Sequence, residues 1–186
     1  MDLDDVVPEA DYVTRQSRVI DAPPSIVWEE LHRLQLTSLP VTLWFSAVRA
    51  LPVLLSGRGR RRAGLDRTFL DVVPVPVLAS DPPSHVVFGG VLQAWRLFGG
   101  RRPPELDAGG VREWSEPGWV KVGMEFRLTS ALGGTRLTCE TRVAATDPET
   151  RRRFARYWFV VRPGSSAIRW ELLTAVAMRA EARASS

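Results

Sequence analysis

The chain has 186 residues, one typical domain and a little more; its 45% hydrophobic and 25% charged content excludes wholesale disorder. The net charge is +4, and 24 of the 25 basic residues are Arg, with Lys121 the sole Lys and no Asn, a bias that a G+C-rich genome produces without any change of partner. The basic clusters Arg58–Arg62, Arg101–Arg102 and Arg151–Arg153 carry no interleaved aromatics and lie beside turn residues or acids, so no nucleic-acid partner is expected.

Residues 1–11 are acidic and contain Pro8, which reads as a loose N-terminal arm ahead of a single domain over 12–183. The acidic start and the lone Cys139 argue against a signal peptide and a disulfide scaffold, so a cytoplasmic location is expected. Tyr12 to Ile20 has Val13, Val19 and Ile20 with polar residues between them and reads as a strand. Asp21-Ala-Pro-Pro-Ser25 ends it and opens a helix, since proline suits the first helical turn. Val27, Leu31 and Leu34 follow at helical spacing. A second helix over about Leu39–Leu54 is apolar on most of its circumference, which predicts a buried or roofing element. At 17 residues, with Arg49 at its middle and Pro40 and Pro52 inside, Leu39–Leu55 is a poor membrane span.

Residues 56–66, rich in Gly and Arg, read as a loop. Phe69–Val73 and Val75–Ala79 read as short strands broken by Pro74 and Pro76. His85–Trp95 reads as a strand with Val86, Phe88 and Leu92 on one face. A loop over 99–110 and a short strand over Val111–Trp114 follow. The clearest pattern comes next. Val120, Val122, Met124, Phe126 and Leu128 alternate with Lys121, Gly123, Glu125 and Arg127; Leu137, Cys139, Thr141, Val143 and Ala145 alternate with Arg136, Thr138, Glu140 and Arg142. Two such runs across Gly133-Gly134 predict an antiparallel hairpin with one apolar and one charged face. Asp147 then caps a long helix, with Pro148 at its first position and Glu149 at the positive end of its dipole. Phe154, Trp158, Val161, Ser165, Ile168, Leu172 and Ala175 form its apolar stripe, and Pro163-Gly164 should kink it or briefly break it.

A one-faced antiparallel sheet must cover its apolar face. The covering elements here are the long helix and the helical pair after the first strand. The expected architecture is therefore α+β: a curved antiparallel sheet around a long kinked C-terminal helix.

The run Tyr12…Arg18-Val-Ile-Asp-Ala-Pro-Pro-Ser-Ile-Val-Trp28 resembles the opening of the START-like (SRPBCC) superfamily, whose members include birch-pollen-allergen-like proteins and polyketide cyclases. The ending, Arg142-Val-Ala-Ala-Thr-Asp147 with Arg151-Arg-Arg-Phe154, Tyr157-Trp158 and Arg162-Pro-Gly-Ser165, resembles bacterial members. The resemblance spans about residues 10–180. It implies a helix-grip fold around a deep apolar cavity, and it supplies no catalytic motif.

Chemistry is sparse in the sequence. His32 and His85 are 53 residues apart and Cys139 has no partner at ligand spacing, so no metal site is expected. Residues 57–64, Gly-Arg-Gly-Arg-Arg-Arg-Ala-Gly, fit neither the dinucleotide fingerprint nor the phosphate-loop spacing, and no cofactor is expected. Cys139 reads as a small core residue. The aromatics remain. Trp28, Trp44, Phe45, Phe88, Trp95, Met124, Phe126 and Trp158 lie on faces expected to point inward, with Thr141 and Tyr157 as the polar groups among them. They are candidates for lining a hydrophobic ligand cavity, or simply for core packing.

Three readings compete. The first is binding, transport or sequestration of a hydrophobic small molecule such as a lipid, polyketide or isoprenoid. The second is a cyclase- or dehydratase-type enzyme, with Glu30, His32, Asp71 and Tyr157 as acid/base candidates. The third is a membrane-peripheral accessory protein acting through Leu39–Leu55 and Arg58–Arg62.

Overall fold

A computed structural model of the chain describes residues 1–44, 67–96, 101 and 103–186. Most of the expected helix over Leu39–Leu54, Phe45, the 56–66 loop and the first basic cluster lie outside the described residues. Five strands, β1 (Tyr12–Ile20), β2 (Val77–Asp81), β3 (His85–Leu92), β4 (Val120–Ala131) and β5 (Gly134–Ala145), form one antiparallel sheet in the order β1-β5-β4-β3-β2. The helices are α1 (Leu3–Val6), α2 (Pro24–Arg33), α3 (residues 40–44), α4 (Ala108–Glu113) and α5 (Pro148–Ala184).

The β4–β5 hairpin forms where the alternation predicts it. Its turn depends on glycine: Gly133 and Gly134 have φ of 84° and 129°, and a Cβ on Gly134 would stand 2.1 Å from the Ile20 carbonyl oxygen. This close contact seats the hairpin turn against the end of β1, which pairs with β5 along its full length, from Tyr12↔Val143 to Ile20↔Thr135.

The start of α5 is also as predicted. Asp147 Oδ1 accepts the N–H groups of Glu149 and Thr150, each at 2.9 Å, and its Oδ2 accepts from Gly118 N at 2.7 Å and from the Thr150 hydroxyl. Those donors hold the Asp147 carboxyl well below the usual carboxylate range, chiefly through Thr150. The helix runs unbroken through Pro163, in a stretch where Phe159, Val160 and Pro163 are exposed. Its buried side follows Phe154, Gly164, Arg169, Leu172, Leu173, Val176 and Ala180.

The C-terminal half of α5 and the face of α2 carrying Val27 and Leu31 cover one side of the sheet. There they bury Ile20, Val86, Phe126, Leu128, Leu137 and Cys139. Phe126 is fully buried between Phe69 and Phe88, edge-to-face with both. A second cluster, around Val120, Val143 and Phe154, sits under the N-terminal end of α5. A curved antiparallel sheet holding a long terminal helix is a helix-grip fold.

Several elements differ from the sequence reading, each for a tertiary reason. Residues 1–11 are no loose arm. Asp2 and Asp5 form a reciprocal cap on α1, and Leu3, Val6 and Val7 are buried on the sheet's other face. They sit in a dent made by Gly89 and Gly123, which are directly paired across β3 and β4. A Cβ at Gly89 would lie 2.8 Å from Val6 Cγ1, and one at Gly123 would lie 2.9 Å from Leu3 Cδ2. The expected strand at Val111–Trp114 and the end of the 99–110 loop are instead α4. Asp107 caps it on Gly110 N at 2.7 Å, and buried Ala108 and Val111 pack in the same cluster as α1, which overrides the two glycines. The outer face is therefore covered too, not merely charged. Phe69–Val73 is a 3₁₀ turn over Leu70–Val72, with Gln35 bridging to Thr68, and the next strand begins only at Val77, past Pro74 and Pro76.

Strand β1 forms over the expected residues, and its pairing decides which of them face inward. Val13 and Val19 are 57% and 39% exposed on this edge strand, whereas the pairing with β5 turns Tyr12, Thr14 and Gln16 toward α5.

Candidate functional site

Directly paired residues share a face, so the registers define rows across the concave, α5-facing side of the sheet. The central row reads Thr14, Thr141, Met124, Phe88. Toward the C-terminal half of α5 the next row reads Gln16, Cys139, Phe126, Val86. Toward its N-terminal end the row reads Tyr12, Val143, Val122, Gly90.

Helix α5 lies over β1 and β5. On the concave face Met124 in the central row, Val122 in the next row and Leu92 at the end of β3 are only half-buried, although β3 and β4 are interior strands of the sheet. Interior apolar positions left partly open are unusual for a plain core. Beside them, Arg169 projects from α5 onto β5. It is 7% exposed, with Nη1 donating to the Ser165 carbonyl at 3.2 Å and Nη2 donating to Thr141 Oγ1 at 3.5 Å. The Cys139 thiol is also at its side, and burial pushes that thiol up to about 11, so it is protonated at neutral pH.

The sequence-derived candidates fall into three groups. Trp95, Tyr157 and Trp158 meet at the N-terminal end of α5, where the Trp158 ring stacks on Phe154 at 5.9 Å and the Tyr157 ring lies 5.8 Å from it. Thr141 and Met124 occupy the central row together. Phe88 and Phe126 are fully buried toward α2, and Trp28 is half-buried there with its ring 4.2 Å from His32. Trp44 is the exception to the inward expectation, being 61% exposed. The reason is local: Glu171 of α5 accepts the N–H groups of Val41 and Thr42 and the Thr42 hydroxyl, which turns Leu39 and Thr42 inward instead.

Of the four acid/base candidates only Tyr157 lies beside this space, at the N-terminal end of α5 against Phe154; the other three do not converge on it. Glu30 pairs with Arg183 at 3.2 Å near the end of α5. His32 donates Nδ1–H to the Trp28 carbonyl at 2.9 Å. Asp71 is exposed and accepts from the backbone and hydroxyl of Thr68, contacts that lower its pKa. Among the described residues no three potential ligands gather to hold a metal ion, and no helix is long and apolar enough to cross a membrane. Arg101 pairs with Glu116, Arg151 with Asp11 and Arg153 with Glu149, so these members of the basic runs are locally neutralised.

The sequence reading did not single out Arg169, Thr14 or Gln16. A signal for Arg169 existed, because it stands four residues after Ser165 on the inward stripe.

No family model matches the chain, and neither does any curated protein. Among solved structures the chain is similar to protein MLL2253 from Mesorhizobium loti, with 15% identity and a TM-score of 0.40 over 89% of this chain and 96% of that one. It is also similar to the di-domain ARO/CYC StfQ of the steffimycin biosynthetic pathway, with 11% identity and a TM-score of 0.42 over 94% of this chain and 52% of that one. The chain thus spans about half the length of StfQ. A third similar structure is the Zhui aromatase/cyclase from Streptomyces sp. R1128, at 16% identity and a TM-score of 0.33, covering 92% of this chain and 94% of that one. Likenesses of this size transfer no chemistry, and the functional argument rests on the residues themselves.

Proposed function

We propose that this chain binds a hydrophobic small molecule against the centre of the concave face, beside α5. The observation that carries the reading is the half-open apolar surface of Leu92, Val122 and Met124 on interior strands, next to a buried cation. Ligand pockets combine mostly apolar walls with a few polar groups, and this arrangement has both. In this reading Met124, Thr141, Trp95, Tyr157 and Trp158 line the ligand, while Phe88, Phe126 and Trp28 form the packed floor beyond it. A binder is favoured over a cyclase because the concave-face rows of β1, β3, β4 and β5 carry no carboxylate or imidazole to move a proton.

The test uses N-phenyl-1-naphthylamine, a neutral apolar dye, alongside native mass spectrometry of the purified protein. Saturable dye binding with a fluorescence rise is expected, and Met124→Arg should weaken it at least about tenfold by placing a charge in the apolar wall. Wild-type protein that binds no dye and carries no co-purified apolar compound would overturn the reading.

A further inference from the structure

Arg169 has no counter-charge among the described residues. Among the described residues no carboxylate lies within ion-pair distance of it, although Arg142, Arg127 and Arg183 elsewhere each have one. Its guanidinium carries five N–H donors, and the described residues supply one carbonyl, one distant hydroxyl and the weakly accepting Cys139 sulfur. The neighbouring thiol is neutral, so it cannot balance the charge. A guanidinium stays protonated even where burial lowers its pKa, as it does here, so the site holds a desolvated positive charge.

Two further groups at the same place are unsatisfied. Thr14 Oγ1 and Gln16 Oε1 are buried without a hydrogen-bond partner among the described residues. They stand directly across from Thr141 and Cys139 in the β1–β5 register, on the face that Arg169 covers. Four side chains of two paired strands and one helix cation thus make a polar island in an apolar surface. Buried polar groups are normally paired, and buried charges almost always are. On one side the island adjoins half-buried Met124, the cross-strand neighbour of Thr141. On the other, a groove of about 330 Å³ between β1 and α5 is lined by Gln16, Arg18, Trp170, Leu173 and Thr174.

We propose that the island anchors the charged end of the ligand, which is an apolar molecule bearing a carboxylate. The carboxylate pairs with the Arg169 guanidinium and accepts from the Thr14 and Thr141 hydroxyls, and the apolar body lies along Met124 and Val122. Gln16 presents either end of its amide to the same group, since oxygen and nitrogen exchange by a half-turn. A neutral polar ligand would satisfy the hydroxyls and leave the cation unbalanced; an anion does both. This assignment rests on the ligand-binding reading above and adds the chemical class.

Displacement of N-phenyl-1-naphthylamine by decanoate and by decan-1-ol separates the two ideas. At pH 8 the wild-type protein should bind decanoate at least about tenfold more tightly than the alcohol of equal chain length. Because the pair is buried, that preference should survive a rise in NaCl from about 0.05 to about 0.5 M, which would erase a surface contact. Arg169→Met should remove the preference by weakening decanoate alone, and Thr141→Val should narrow it by about threefold without removing the charge. Replacement of exposed Arg152 by Met should change neither ligand. Equal affinities for acid and alcohol in a wild-type protein that binds the dye would overturn the anchor and leave the binding reading intact. Failure of the dye to bind at all would overturn both. An acid preference that persists in folded Arg169→Met would place the anion elsewhere and reject this site.

Discussion

The two faces of the sheet treat charge in opposite ways. On the outer face three cations of the central strands are partnered: Arg142 with Glu140 at 2.8 Å and with Asp4 of α1, Arg127 with Glu125 at 2.6 Å, and Lys121 with the Arg112 carbonyl at 2.9 Å, while Arg136 is exposed to solvent. The paired glycines there admit α1 so closely that no side chain fits between. On the concave face a guanidinium is buried deeper than any of these, beside two polar atoms, and among the described residues neither it nor they find a carboxylate or hydrogen-bond partner to match them fully. The outer face is therefore built for closure. The α4 side also buries two orphaned groups, Trp114 Nε1 and Trp119 Nε1, but the concave face adds a buried cation with no carboxylate among the described residues, and such departures from local consistency mark functional surfaces.

This contrast can be broken at its strongest point first. Phe126→Ala should cost about 3–5 kcal/mol in chemical denaturation, because the α2 side of the concave face is a closed core. A loss under about 1 kcal/mol would mean that the open region extends across the whole face. Gly123→Leu should come next, at about 1–3 kcal/mol, by driving the side chain into Leu3 and Val7. Protection of the α1 amides from hydrogen exchange should fall with it; unchanged protection would show that the outer face is not closed through the glycine dent.

The smallest effect concerns how α5 is aimed across the concave face. Asp147→Ala should cost about 1 kcal/mol by removing the cap on α5. The Asp147 carboxyl is lowered in the folded state, so its contribution is complete above the unfolded carboxylate range. It should then fade as pH drops below about 4. Wild-type and Asp147→Ala stabilities should therefore converge in acid; a gap that stays constant with pH would show that the lost contact is not the ionised cap.

Much of the frame was legible in the sequence because its signals are local. The strict alternation from Val120 to Leu128 and from Leu137 to Ala145 needs only a pleated strand and a turn. The Asp147-Pro148-Glu149 start needs only the unsatisfied N–H groups of a helix end. The candidate site was legible in part. Met124 and Thr141 belong to those same alternating strands, whereas Trp44 was misplaced because the contact that orients its helix comes from Glu171, 127 residues later.

What the sequence determined by itself was thus the set of strongly periodic elements and the class of fold that can bury their faces. What only the tertiary structure decided was which side of a weakly patterned segment faces inward. A four-residue helix such as α1 has no stability alone and forms because paired glycines leave room for it. Edge strand β1 carries Val13 and Val19 outside and Thr14 and Gln16 inside because pairing with β5 sets its register. A one-residue change of register would exchange the two faces, and with them the polar island around Arg169.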